Sequence, residues 1–196
     1  MRILAVIALF FSITKAEAFT IEFEIKKIVS CLIEHKFPEL KKINLVYEKL
    51  DSPSVFLATE LKRKTLLGPK EKRIYILQYN PLLEVLNPSK KGLVAILAHE
   101  LAHFQDYESL SSAKMITKFG RYFISAKFRA KVERSIDVVA LQKGYSYGLI
   151  QYRKWLYKNI PRKDIKTKFR NYYTPKEIRN YVYKNGQGEK PACYDL

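Results

Sequence analysis

Cysteine, glycine, proline and histidine are all scarce in this sequence. Its 196 residues include 2 Cys, 7 Gly, 8 Pro and 3 His. So little glycine and proline excludes a collagen-like or low-complexity chain. The two cysteines, Cys31 and Cys193, lie far apart, which excludes the CxxC spacing of a redox or zinc site.

Acidic residues are also in deficit. The chain has 19 Asp and Glu against 36 Lys and Arg, and a formal net charge of +17. With 47% apolar residues, the sequence is nevertheless too hydrophobic to be disordered throughout. The charge would attract nucleic acid, anionic lipid or acidic polysaccharide almost equally well, so charge alone does not identify a partner.

Long hydrophobic runs are missing apart from one at the start. The sequence begins with Met1 and Arg2, runs apolar from 3 to 13, and then reaches a small-x-small ending at Ala16 and Ala18. This pattern is typical of a secretory signal peptide, and the run is shorter than the roughly 20 residues of a membrane-spanning helix. We therefore expect cleavage after Ala18, with an uncleaved anchor as the alternative, and export to the periplasm or the extracellular space. Residues 19–196 then form a single domain without a transmembrane segment.

Export would place both cysteines in an oxidising compartment. Because two cysteines allow only one pairing, we expect a disulfide between Cys31, in the first helix of the mature chain, and Cys193, in the C-terminal tail. The alternative is two unrelated thiols, one in a helix core and one in a loose tail.

The apolar periodicity changes along the chain in a way typical of an α+β protein. Helical spacing over 21–36 gives way to three short segments rich in β-branched and aromatic residues, and helical patterns return after Pro81. We expect the three segments to form a small antiparallel sheet, followed by a mostly helical bundle. The predicted strands are 43–47, 55–61 and 73–79, and the predicted later helices are 90–107, 112–143 with a break near Gly120, 148–160 and one from Thr174 with a capping box.

One short motif carries specific chemistry. The segment 99–103 reads His-Glu-Leu-Ala-His and lies within the helix predicted over 90–107. Positions i and i+4 share a helix face, so His99 and His103 can bind one metal ion, with Glu100 placed to act as general base. The alternative is two core histidines and a glutamate paired with a lysine.

A third metal ligand must come from a carboxylate, because no histidine follows His103. This absence excludes the HExxHxxGxxH pattern of the metzincins. Glu133 can reach a metal ion from a neighbouring helix, and Asp137, on the same face, can then orient a ligating imidazole. The candidate ligands are Asp106, Glu108, Glu133 and Asp137.

The motif HELAH followed by ExxxDxxA, at 133–140, resembles the gluzincin branch of the HExxH zinc metallopeptidases, of which thermolysin is a member. The resemblance implies a zincin-like fold and one Zn²⁺ per chain, bound by His99, His103 and Glu133. It also implies that Glu100 is the catalytic base and that Asp137 supports His99. Finally, it implies an edge strand that pairs with the substrate, for which 73–79 is the candidate.

The sequence departs from that pattern in three places, one of which is Ile136, where related sequences often have alanine. The gap between His103 and Glu133 is longer than in thermolysin, so we expect an additional helical segment between them. The late histidine that stabilises the oxyanion in thermolysin-like enzymes has no counterpart, since the spare His35 lies far upstream. Tyr145 and Tyr147 are the candidates for that role.

Two later stretches, 114–134 and 151–190, combine many Lys and Arg with aromatic residues. We interpret them as amphipathic helices with solvated charges, and we expect no specific nucleic-acid binding. An anionic envelope or another acidic surface is a candidate partner. The sequence therefore predicts an exported zinc metallopeptidase that acts on peptides or proteins. Two alternatives are a non-catalytic binding protein with a structural or vestigial zinc site, and a basic envelope-binding protein in which the motif is accidental.

Overall fold

The computed structural model describes residues 20–196, so the predicted signal peptide at 1–18 lies outside the described residues. Within them, three strands and eight α-helices follow one another in an α+β arrangement, which confirms the predicted fold class. The elements are α1 (Ile21–His35), β1 (Asn44–Lys49), β2 (Leu57–Leu61), β3 (Ile74–Tyr79), α2 (Leu82–Leu86), α3 (Lys90–Glu108), α4 (Ser112–Ile124), α5 (Ala126–Gln142), α6 (Ser146–Asn159), α7 (Arg162–Asn171) and α8 (Pro175–Asn185). None of these helices is both long and apolar enough to cross a bilayer.

The sheet is mixed rather than antiparallel. Its strand order is β1-β3-β2, with β1 parallel and β2 antiparallel to β3. The expectation that 73–79 forms an edge strand is therefore wrong, because β3 is the central strand. Its near-continuous burial, from Tyr75 to Leu77, agrees with a strand covered on both faces. Strand periodicity shows which faces are apolar but not which strands are neighbours, so the sequence pattern missed this order.

Helix α3 lies at the centre of the molecule and packs against α1, α5, α6 and β2. Fourteen of its 19 residues are buried, as expected of a helix that is apolar around most of its circumference. The Ser89 side chain caps the helix by accepting a hydrogen bond from the Gly92 N–H. The segment 99–103 is therefore carried by a helix that is buried along most of its length.

The close crossing of α3 and α6 depends on Gly148. A Cβ atom at this position would lie 2.2 Å from the carbonyl oxygen of Lys91 and 2.6 Å from the Ala95 Cβ. No side chain larger than hydrogen fits there unless the helices move apart. The crossing fixes α6 against the helix that carries the motif.

The helical region 112–143 is interrupted at Ser125 and not at Gly120, which lies inside α4. Ser125 adopts an extended conformation, and its side chain caps α5 by accepting a hydrogen bond from the Phe128 N–H. A single helical glycine costs only about 1 kcal/mol relative to alanine, so it need not end a helix. The break lets α5 turn back towards α3.

The C-terminal tail is fastened to the helical core. The predicted disulfide between Cys31 and Cys193 is present and joins α1 to the tail, with a Cα–Cα distance of 6.1 Å. The tail also contacts the end of α5, where the Glu189 N–H donates to the carbonyl of Gln142. The capping box that starts α8 is present as well, formed by Thr174 and Glu177.

Candidate metal centre

Three side chains from two helices converge beneath a cleft. His99 and His103 project from the same face of α3, and Glu133 reaches them from α5. The Nε2 atoms of both imidazoles lie 3.3 Å from the same Glu133 oxygen, Oε2. One ligand atom from each residue falls within 4.8 Å of the others, so the three residues can hold a metal ion.

The three side chains also suit a metal ion because they are buried and because one carboxylate oxygen has no hydrogen-bond partner in the described part of the chain. His99, His103 and Glu133 are 1%, 5% and 2% exposed. Glu133 Oε2 has no hydrogen bond of good geometry with any described residue, although two imidazole nitrogens face it. A buried carboxylate oxygen without a partner is costly, and a cation shared by all three side chains would satisfy it.

Asp137 lies on the far side of His99 from Glu133. Its Oδ1 is 2.9 Å from the His99 Nδ1 and 2.8 Å from the Arg153 Nη2, while its Oδ2 accepts a hydrogen bond from the Tyr173 N–H at 2.8 Å. These contacts hold a fully buried carboxylate in one orientation. The imidazole of His99 is thereby oriented with Nε2 towards His103 and Glu133.

The electrostatics of the three groups follow from this arrangement. Burial alone would lower the pKa of His99, but the nearby carboxylates of Asp137 and Glu133 outweigh it and raise the value to about 9. Burial alone would raise the pKa of Glu133, yet the two imidazoles hold it well below its usual range. Likewise, Arg153 and His99 overcome the effect of burial and lower the pKa of Asp137. Both carboxylates are therefore ionised, as metal ligation and imidazole support require.

Glu100 is adjacent to His99 in sequence and lines the cleft together with His103 and Glu133. It is 6% exposed, and burial raises the pKa of its carboxyl group. A carboxyl group with a raised pKa takes up a proton more readily than an exposed glutamate does. Glu100 therefore has the position and the environment of a general base.

The cleft itself has a volume of about 480 Å³ and is mostly apolar. Strand β2 and the residues just before it line the cleft, together with residues of α3, α4, α5, α6 and α7. The polar side chains that line it beside Glu100, His103 and Glu133 were not predicted as site residues from the sequence. They include Tyr107, Tyr122, Arg153, Lys168 and Tyr172.

Tyr122 belongs to α4, the additional segment that the long gap between His103 and Glu133 predicted. Its hydroxyl donates a hydrogen bond to Oε1 of Glu133, the oxygen that does not face the histidines. Burial and the Glu133 charge together raise the pKa of Tyr122, so its hydroxyl keeps its proton and stays a donor. The inserted helix thus contributes directly to the centre.

Arg153 could have been noticed in the sequence. Leu149, Tyr152 and Leu156 form an apolar stripe on α6, and Arg153 falls on the same stripe. A charged residue on a buried stripe needs a buried partner, and Asp137 is that partner. No comparable signal marks Tyr122 or Lys168, whose position depends on how α4 and α7 pack.

The other candidates lie elsewhere. Asp106 forms an ion pair with Lys118, and Glu108 pairs with Lys70 at 3.2 Å, so neither joins the histidines. Tyr145 is buried against the tail, where its hydroxyl is 3.4 Å from the Ala192 carbonyl oxygen.

Tyr147 is 57% exposed beside Lys91. Since neither Tyr145 nor Tyr147 lines the cleft, the structure does not bring them to the position of an oxyanion donor.

Comparison of the chain with protein-family models, with curated proteins and with solved structures finds no match.

Proposed function

We propose that this protein is a zinc-dependent metallopeptidase of the gluzincin type. The observation that carries the proposal is the convergence of His99, His103 and Glu133 beneath a cleft lined by Glu100. Two imidazoles and one carboxylate are a donor set typical of catalytic zinc, which keeps a further position open. Zinc held there would supply Lewis acidity, activating a water molecule and polarising a substrate carbonyl.

Glu100 would carry the proton through the reaction. It accepts a proton from the attacking water as the oxygen bonds to the carbonyl carbon. It then donates that proton to the amine nitrogen as the C–N bond breaks, so that one water is consumed for each bond cleaved. The raised pKa of Glu100 makes the second transfer easier than it would be for an exposed glutamate.

Strand β2 is the segment best placed to bind the substrate backbone. It pairs with β3 on one side only, and residues 54–61 line the cleft. An extended peptide can add to such an edge through main-chain hydrogen bonds, which would hold it along the cleft. We expected 73–79 to pair with the substrate backbone, and we propose that β2 does so instead.

Export remains part of the proposal. The disulfide between Cys31 and Cys193 supports it, because such bonds persist in oxidising compartments such as the periplasm and the extracellular space. The experiment for this part is N-terminal sequencing of the protein recovered from its native compartment, which should begin near Phe19.

Peptide hydrolysis is tested by comparing the wild type with Glu100→Gln. Both proteins should bind one equivalent of zinc, but only the wild type should cleave members of a diverse peptide library. A zinc-loaded wild type that is as inert as Glu100→Gln would contradict the proposal and favour a non-catalytic zinc site.

A further inference from the structure

Lys168 projects from α7 into the lining of the cleft without a carboxylate partner. Its ammonium lies 5.6 Å from the ring centroid of Tyr172, and the side chain is half-buried. No Asp or Glu among residues 20–196 lies within 4 Å of it. Glu133 and Glu100 are close enough for their charges to act on it, which places Lys168 near the centre.

Of the other described cations that line the cleft, Arg63 is exposed to solvent and the remaining two are paired. Arg153 shares the buried carboxylate of Asp137, and Lys118 pairs with Asp106. A bound divalent ion would match the two negative charges of Glu133 and Glu100. Asp164, one turn earlier on α7, acts on Lys168 only from beyond ion-pair distance, so the ammonium would still have no carboxylate of the described residues in contact with it.

An unpaired, half-buried ammonium is costly to keep in the folded protein. Burial, together with the positive charge of Arg153, lowers the pKa of Lys168, so the surroundings disfavour its charged form. An anion bound in the cleft would remove this cost. It would also pair with the ammonium in an environment less polar than water, where such pairs are stronger.

We propose that Lys168 binds a carboxylate group of the substrate, and that the protein therefore selects acidic peptides. This inference rests on the proposed peptidase function and adds the substrate class to it. The carboxylate can belong to an Asp or Glu side chain near the cleaved bond or to the C-terminus of the peptide. The ammonium can bind either carboxylate, so the experiment tests the acidic side chain and the C-terminus separately.

The first step is to digest a diverse peptide library with the zinc-loaded wild type and to sequence the products by mass spectrometry. We expect Asp or Glu to be enriched at one fixed position relative to the cleaved bond, or cleavage at a fixed distance from free C-termini. Matched synthetic peptides, with Glu or Gln at the enriched position and with a free or amidated C-terminus, then distinguish the two sources.

The second step changes the cation. Lys168→Gln should lower kcat/KM for the carboxylate-bearing peptide by about tenfold or more and leave the neutral peptide almost unchanged. Lys168→Glu should reverse the preference, in favour of a matched peptide with Lys. Lys166→Gln, an exposed position on the same helix, removes the same charge and should change neither rate.

The outcomes separate the two proposals. No cleavage of any peptide by the zinc-loaded wild type would overturn the peptidase function. Cleavage without an acidic preference would overturn the role of Lys168 alone. If Lys168→Gln lowered kcat/KM equally for acidic and neutral peptides, that result would also overturn it. A residue that binds the substrate carboxylate should affect only the acidic peptide.

Discussion

Oδ1 of Asp137 lies 2.9 Å from Nδ1 of His99, on the opposite side of the imidazole from Glu133. Both carboxylates come from α5, one turn apart, and they hold the same ring from two sides. This relationship joins the face of α3 that carries the two histidines to a buried ion pair, because Asp137 also pairs with Arg153. The centre therefore depends on α6 as well as on the two helices that supply its ligands.

Replacing Asp137 with Asn should weaken metal binding by about 10- to 100-fold, the usual cost of losing a carboxylate that supports a ligating histidine. The measurement is zinc affinity by competition with a chelator. Asp164→Asn, on α7 and in no ion pair with a described residue, is the control and should bind zinc like the wild type. Equal affinity in all three proteins would show that Asp137 does not support the ligand.

Replacing Arg153 with Met should lower the free energy of unfolding by about 3–5 kcal/mol, because the buried Asp137 charge would lose its guanidinium partner and keep only the His99 imidazole. Denaturant unfolding of the metal-free proteins measures this. The double variant Arg153→Met/Asp137→Asn should lose less than the sum of the two single losses. Simple additivity would mean that the two side chains do not stabilise each other.

Two glycine substitutions should act in opposite directions. Gly148→Ala places a Cβ against the Lys91 carbonyl and should lower the free energy of unfolding by about 1–3 kcal/mol. Gly120→Ala meets no atom within 4 Å in α4 and should raise it by up to about 1 kcal/mol. Thermal unfolding of both variants checks the close crossing of α3 and α6, and a neutral Gly148→Ala would argue against that crossing.

Removing the disulfide should destabilise the protein without removing the centre. Cys31→Ser/Cys193→Ser opens a covalent loop that spans most of the domain, and we expect a loss of about 2–5 kcal/mol. Zinc stoichiometry should stay at one, since neither cysteine takes part in the cluster of His99, His103 and Glu133. A variant as stable as the oxidised wild type would show that the bond contributes little.

The sequence predicted those parts of the site that depend on helical geometry within one element. The spacing of His99 and His103 fixes their common face, and the spacing of Glu133 and Asp137 does the same on α5. The disulfide was also predictable, because two cysteines permit one pairing. Helix geometry within one element, or the number of cysteines, leaves few alternative arrangements in each case.

The sequence did not predict the features that depend on packing between elements. Strand order follows from which side of β3 the chain approaches, and the alternation of residues in β2 does not encode that choice. Tyr122 and Lys168 reach the cleft only because α4 and α7 fold over it. Arg153 is intermediate, since its place on an apolar stripe indicates a buried partner without saying that the partner is Asp137.

The metal content of the purified protein tests the central claim most directly. Elemental analysis should find one zinc per chain, lost in His103→Ala and in Glu133→Ala. Asp106→Ala and Glu108→Ala should keep it, because those carboxylates are paired elsewhere. A wild type that binds no zinc, or a Glu133→Ala variant that holds zinc as tightly as the wild type, would contradict the account.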